Sequence, residues 1–486
     1  LAGLTGILVL VTLIAYSPSI NNTPLFDESY LLAWLSHCLK TGFTAADTSA
    51  FVLASPADAR DGAVSFGSIF LLITAMLTGT SYQLMRWLQL LVHMANAILI
   101  GLAVVLAIGP KNDDSDEDEK FNLMRPDLPT TALAFSSALL FALNPLAPEA
   151  ASWLFSLPVQ WAVFFMLELT VLLLYLLRQN ETFDKKYRAS TILCCCILGV
   201  LASTLTFKTA TMFLLPLALC VTSLLLQQPT VSIKSKGFAR LSTAIVLVVL
   251  ALLSVMSNVI NVRESSKALP EALERLKIEK IVTEGNVSRP RVSFLEVGPG
   301  ANLQAIILPV NRNIDPKYNK VLRFLYFFLP LPILFFLVAL FTNRRFRMIG
   351  LTVTAALLIS AALSMPAIDS QNFYGARWLY PVLPLAAIFW GLLCTSPIFV
   401  EIKSFDNNKV KIAQYALAAI FLVLLSSFFF QRTFKQNLSY KSNGKLWQVI
   451  KEEILKTGRK ETSPFIIARG LPQSLSIAPI LSPFSP

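Results

Sequence analysis

The sequence predicts an all-α polytopic membrane protein with about eleven transmembrane helices, a large external first loop and an external C-terminal tail. Three observations carry this. Hydrophobic residues make up 55% of the 486 positions and charged residues only 14%, far below the roughly 25% of a soluble domain. The mean hydropathy is +0.62. Apolar runs of near-span length recur along the chain, and basic residues punctuate the gaps between them. A soluble reading would need one very large core, and single cores stop growing at about 250–300 residues.

Taken in order, the first run covers 1–17. No small-residue cleavage site follows it, so it reads as a span rather than a signal peptide. The external segment 18–64 comes next, then an apolar stretch at 65–79 that reads as a membrane-surface or re-entrant helix. Further spans are predicted at 82–109, 130–147, 157–177, 189–207, 209–227 and 241–258. After the external segment 259–320, in which 294–310 dips toward the bilayer, spans follow at 321–341, 348–364, 379–397 and 412–429. The domain organisation is therefore a transmembrane domain over 1–430 and a tail over 431–486. Within the tail, Leu446, Val449, Ile450 and Ile454 share one face of an amphipathic stretch.

Short loops set the orientation. One set carries Lys185, Lys186 and Arg188; Lys234, Lys236 and Arg240; Arg344, Arg345 and Arg347; and Lys403, Lys409 and Lys411. The opposite set is almost free of Lys and Arg, so the basic set is cytoplasmic. The acidic run from Asp113 to Glu119 falls on the cytoplasmic side and reads as a solvated loop. The net charge of +12 would suggest nucleic acid in a soluble protein. Here it is explained by loop charge, and no nucleic-acid motif accompanies it. Cys194, Cys195 and Cys196 are consecutive in an apolar run and Cys38 lies in the external segment, so no disulfide framework is expected.

Candidate chemistry gathers on the external side. Asp27 and Glu28 are adjacent carboxylates just beyond the first span. Asp27 fits a helix N-cap or first-turn acid, or a general base at the membrane surface. Arg86, Gln89, His93 and Asn96 recur every three or four residues and so share one helix face. That face serves interhelical hydrogen bonding or a wet cavity. Glu149 stands just outside the third span as a supporting acid or an interface anchor, and Trp153 as an interfacial belt residue. Lys208 and Arg377 fall at external ends of spans. There a cation either snorkels to headgroups or grips a phosphate, for which the forked guanidinium of Arg is suited. Glu168 lies mid-span and calls for a polar partner or protonation.

Several of these residues sit in motifs that resemble the GT-C class of membrane glycosyltransferases. Phe26-Asp27-Glu28 resembles the Phe-Asp-Glu of protein O-mannosyltransferases. Asn144-Pro145-Leu146-Ala147-Pro148-Glu149, followed by Trp153, is similar to the His-Pro-Leu-His-x-Glu-x-x-x-Trp signature of the transmembrane TPR-bearing O-mannosyltransferases. The stretch 84–101, with Arg86, Gln89, His93 and Asn96, resembles their second span. Lys208-Thr209 with Leu215-Pro216-Leu217 resembles their Lys-Glu-x-x-x-x-Leu-Pro element. Arg377-Trp378-Leu379-Tyr380-Pro381 resembles an Arg-Tyr-Leu-x-Pro stretch of the class. Both signature histidines are replaced, by Asn144 and Ala147, and the Glu after Lys208 is Thr209.

The resemblance implies a GT-C-like fold and an inverting transfer of sugar from a polyprenyl-phosphate donor to an acceptor hydroxyl, on protein or glycan, at the extracytoplasmic face. Asp27 and Glu28 are then catalytic. Arg377, Lys208 and Arg86 bind the donor phosphate, and His93, Asn96 and Glu149 line the substrate cavity. No cofactor is obligatory; an acidic pair can bind a divalent metal, but none is indicated. Membrane lipids and the lipid-linked sugar are the expected partners, with no nucleic acid. The expected location is an integral, multi-pass one, with the bacterial plasma membrane favoured over the endoplasmic reticulum. The replaced histidines support an alternative, a catalytically inactive GT-C-like structural or accessory subunit of a membrane assembly.

Overall fold

The computed structural model describes residues 2–24, 26–42, 64–109, 126–178, 185–205, 209–226, 299–307, 309, 318–364, 376–401 and 408–458. Every regular element among them is helical. In order these are α1 (Ala2–Ile20), α2 (Phe26–Thr41), α3 (Val64–Thr78), α4 (Tyr82–Ile108), α5 (Leu128–Ala142), α6 (Ala147–Ser152), a 3₁₀ turn (Leu154–Ser156), α7 (Leu157–Arg178), α8 (Lys185–Leu205), α9 (Thr209–Leu226), α10 (Pro299–Ile307), α11 (Tyr318–Phe328), α12 (Pro330–Thr342), α13 (Arg344–Leu363), a 3₁₀ segment (Ala376–Val382), α14 (Leu383–Phe399) and α15 (Asn408–Gly458). Seven helices among the described residues are long and apolar enough to cross a membrane, and Leu128–Ala142, Ser190–Ser203 and Thr211–Leu226 are shorter apolar helices. Large apolar side chains face outward, among them Leu77, Phe327 and Phe341, each at least 80% exposed. An outer surface of this kind suits lipid and not water.

Ten of the eleven predicted runs coincide with these helices; the run 241–258 lies outside the described residues. The polar contacts sort the helix ends into two groups. At one end, here called upper, Asn22 Nδ2 donates to Tyr440 O (3.1 Å), Glu28 meets Tyr82 and Leu154, Ser360 Oγ donates to Thr211 O (3.4 Å), and Asn302 Nδ2 donates to Ser364 O. At the other, lower, end Arg178 Nη2 donates to Gly109 O (2.5 Å), Arg345 pairs with Asp127 (3.1 Å), Arg344 Nη2 donates to Leu225 O (3.4 Å) and Asn343 Nδ2 donates to Glu401 Oε1 (2.8 Å). This is the alternation that successive crossings require. The basic clusters at 185–188, 344–347 and 409–411 all belong to the lower end, and 234–240 lies outside the described residues.

Local sequence explains the helix starts. Gly79 and Thr80 turn the chain through positive φ (61° and 62°), and Ser81 then caps α4 by accepting from Leu84 N–H. Asp127 caps α5 through Thr130 N–H, and Asn343 caps α13 through Phe346 N–H. Leu329 N–H bonds to Leu325 O and Ile333 N–H to Leu329 O, so the hydrogen-bond ladder resumes past Pro330 and Pro332, which have no N–H to donate.

Helices in lipid associate through close packing, for which small residues are suited. A Cβ on Gly391 of α14 would lie 2.5 Å from Ser137 Oγ of α5, and one on Gly101 of α4 would lie 3.3 Å from Ala134 O. Helices α4, α5 and α14 thus meet almost backbone to backbone. Trp390, Phe141, Tyr380, Phe346 and Phe429 fill the centre.

Three expectations change in detail. The division drawn at 430 falls within α15, a continuous helix of 51 residues, about 77 Å long at 1.5 Å per residue. The segment 294–310 contributes α10, whose Ala305 and Ile306 are buried and whose Ile306 O accepts from Trp390 Nε1 (3.3 Å). Cys38 is on α2, 2% exposed, in a cluster with Leu31, Leu35 and Leu71.

Candidate functional site

The upper end is organised by one buried carboxylate. Glu28 lies in the first turn of α2 and is wholly inaccessible to solvent. Its Oε2 accepts from Tyr82 Oη (2.9 Å) and its Oε1 from the Leu154 N–H (2.9 Å). Arg86 Nη2 faces Oε1 at 3.6 Å, and Arg86 Nε donates to Tyr82 Oη (3.0 Å). The guanidinium also stacks over the Tyr82 ring, 5.1 Å from its centroid. One turn further along α4, Gln89 Oε1 accepts from Arg86 Nη1 (3.3 Å) and Gln89 Nε2 donates to Trp153 O (2.8 Å). The acid, the cation and two main-chain groups of the 153–154 link thus lock α2, α4 and the start of α7 together.

A second polar layer lies deeper. His93 is two turns below Arg86 on α4, about 10 Å along the axis. Its Nδ1 is 2.9 Å from Tyr380 Oη, and its Nε2 lies 3.2 Å from Ala142 O and 3.3 Å from Tyr16 Oη. Ala142 O can only accept, so the proton belongs on Nε2, and Nδ1 then accepts from Tyr380. Asn96 Nδ2 donates to Tyr380 Oη (3.3 Å) and to Gln160 O (3.2 Å). The imidazole is enclosed by the rings of Tyr16, Phe141 and Tyr380. As the spacing requires, Arg86, Gln89, His93 and Asn96 all face inward, each at most 3% exposed.

Asp27, Glu149 and Arg377 belong to elements of the same end. Asp27 precedes Glu28 in α2; its side chain is outside the described residues. Glu149 is buried in the first turn of α6. Arg377 lies in the 3₁₀ segment, which packs against α6, α7 and the start of α9; its side chain is likewise outside the described residues. Lys208 is outside them too, immediately before Thr209 of α9. Along the backbone Arg377 lies one 3₁₀ turn before Tyr380, which bonds both His93 and Asn96.

Asn144, where the resembled signature has His, has a structural duty. Its Oδ1 accepts from Leu146 N–H (3.0 Å) and its main-chain O from Ala147 N–H (2.9 Å), shaping the turn from α5 into α6. Helix α15 closes the assembly from the side: Asn437 accepts from Ser152 Oγ (3.0 Å) and donates to Ala15 O (3.1 Å), and Thr433 Oγ1 donates to Leu143 O (2.7 Å).

Tyr82, Tyr16 and Gln160 complete these layers and were not singled out by the sequence. Tyr82 was within reach of it, because the polar face of α4 extends to position 82 by one more step of four. Among the described residues no three His, Cys, Asp or Glu side chains gather as metal ligands. No protein-family model matches the chain, and no curated protein matches its sequence.

Proposed function

We propose that this protein is a membrane glycosyltransferase that moves a sugar from a polyprenyl-phosphate donor to an acceptor hydroxyl on the extracytoplasmic side. The observation that carries the reading is the locking of Glu28. It fixes the first turn of α2 at the upper end, where α6, which bears Glu149, packs against the 3₁₀ segment that bears Arg377. Asp27, one residue earlier and about 100° round the helix, is the general base. It takes the proton of the acceptor hydroxyl as that oxygen attacks the anomeric carbon. The carbon–oxygen bond to the phosphate breaks with inversion, and the phosphate leaves with the electron pair. Arg377, with Lys208, stabilises the leaving charge. Glu28 and Arg86 neutralise one another in this scheme and act as a positioning pair.

That mutual neutralisation also favours the second reading, a non-catalytic subunit that keeps the fold. Asp27→Asn separates the two. The change is nearly isosteric, so folding is retained while transfer from a lipid-phosphate sugar falls by about 10²–10⁴. Near-normal transfer in the variant removes Asp27 from the base role, and absence of transfer by the unaltered protein with every lipid-phosphate sugar supplied leaves the accessory reading.

A further inference from the structure

Buried polar side chains almost always find hydrogen-bond partners. Three neighbouring ones here do not. Gln160, in the first turn of α7, is fully buried, yet neither its Nε2 nor its Oε1 has a partner. Asn96 Oδ1 is also unpartnered, although Asn96 Nδ2 donates to Gln160 O, which places the two residues in direct contact. Ser156 Oγ, four residues before Gln160, is buried and unpartnered as well. One donor, two acceptors and a hydroxyl thus belong to residues at the contact of α4 with α7 and with the 3₁₀ turn before it, and Asn96 is bonded to Tyr380 as well.

We infer that Gln160, Asn96 and Ser156 form a subsite for the hydroxyl groups of a sugar ring. The chemistry discriminates between ligands. A sugar hydroxyl both donates and accepts, so it satisfies an amide N–H and an amide oxygen alike. A phosphate only accepts, and would leave Gln160 Oε1 and Asn96 Oδ1 facing further lone pairs. A carboxylate fails for the same reason, and an ammonium group would leave Gln160 Nε2 unpaired. The position fits a donor whose phosphate stays above, at the register of Arg377, about 6 Å along the 3₁₀ axis from Tyr380. The inference rests on the glycosyltransferase reading for the identity of the ligand, and on the unpaired amides for its location.

The test uses the full chain in lipid nanodiscs and measures binding of a short-chain polyprenyl phosphate, bare and as its mannosyl, glucosyl and galactosyl esters. The unaltered protein is expected to bind one ester more tightly than the bare phosphate. Gln160→Met, which keeps the volume and removes both amide atoms, should weaken that ester about tenfold, the worth of one or two neutral hydrogen bonds. Binding of the bare phosphate should be unchanged. Ser156→Ala is a milder second variant that removes no existing side-chain hydrogen bond, and should reduce the same preference. Retention of the full ester preference in both variants overturns the subsite. Binding of the bare phosphate with no preference for any ester also overturns it, while leaving the donor class standing. Binding of none of the four overturns the glycosyltransferase reading and the subsite together.

Discussion

The ion pair between Glu28 and Arg86 makes a quantitative demand. The charges are 3.6 Å apart with both side chains at most 2% exposed. At an effective dielectric constant near 20, a separation of this size corresponds to about 4–5 kcal/mol of attraction. Removing one partner of a buried pair costs about 3–5 kcal/mol, because the other charge is left uncompensated. Glu28→Gln and Arg86→Met should each destabilise the protein by that amount. The double variant has no orphaned charge, and so should be no worse than either single variant. A double-mutant cycle should therefore yield a coupling of about 3 kcal/mol or more. Unfolding in mixed micelles under increasing dodecyl sulfate, followed by tryptophan fluorescence, measures it; Trp153 and Trp161 flank the link that the pair anchors. Additive losses, with coupling below about 0.5 kcal/mol, would show that the two charges do not stabilise one another and that α2 is held by other contacts.

Two further outcomes are expected. Arg377→Lys should impair use of a lipid-phosphate donor by about tenfold to a hundredfold, because Lys keeps the charge but loses the fork; donor titrations that superimpose for Arg and Lys would leave only snorkelling to headgroups. Cysteines introduced at exposed Ser442 and Arg344 lie at the upper and lower ends, so in a Cys194→Ser background an impermeant thiol reagent applied outside should label the first and not the second; the reverse pattern would invert the orientation. Native Cys38 is too buried to serve as the reporter.

Much of the fold was legible because hydropathy reports burial in lipid directly, and because a polar stripe at helical spacing admits only one inward face. The stripe from Arg86 to Asn96 is therefore legible as one inward face from its spacing alone. Those partners come from distant segments: Tyr380 is 287 residues from His93, and Leu154 is 126 from Glu28. No local pattern announces such pairs. Glu28 illustrates the consequence. Its sequence neighbourhood suggests surface chemistry, whereas its carboxylate is consumed by a main-chain N–H that only the folded α6–α7 link supplies. The extent of α15 was missed for a different reason. Arg432, Lys435 and Asn443-Gly444 look like the end of a span, but the charges sit on a helix that continues, and Gly444 is required by contact: a Cβ there would lie 2.5 Å from Asn22 Oδ1 and 2.7 Å from Thr23 O.

That same contact between α1 and α15 bears on how the molecule is made. Asn22 and Tyr440 are separated by 418 residues, and Asn437 and Ala15 by 422. A ribosome working at roughly 5–20 residues per second takes roughly 20–80 s to cover that distance. Throughout that interval α1 stands in the bilayer with the groove that receives α15 uncovered, and with Ala15 O and the Asn22 amide still awaiting their partners. Closure of this seam thus waits until α15 has been made. A chain interrupted before α15 would present quality-control machinery with an open polar seam beside α1.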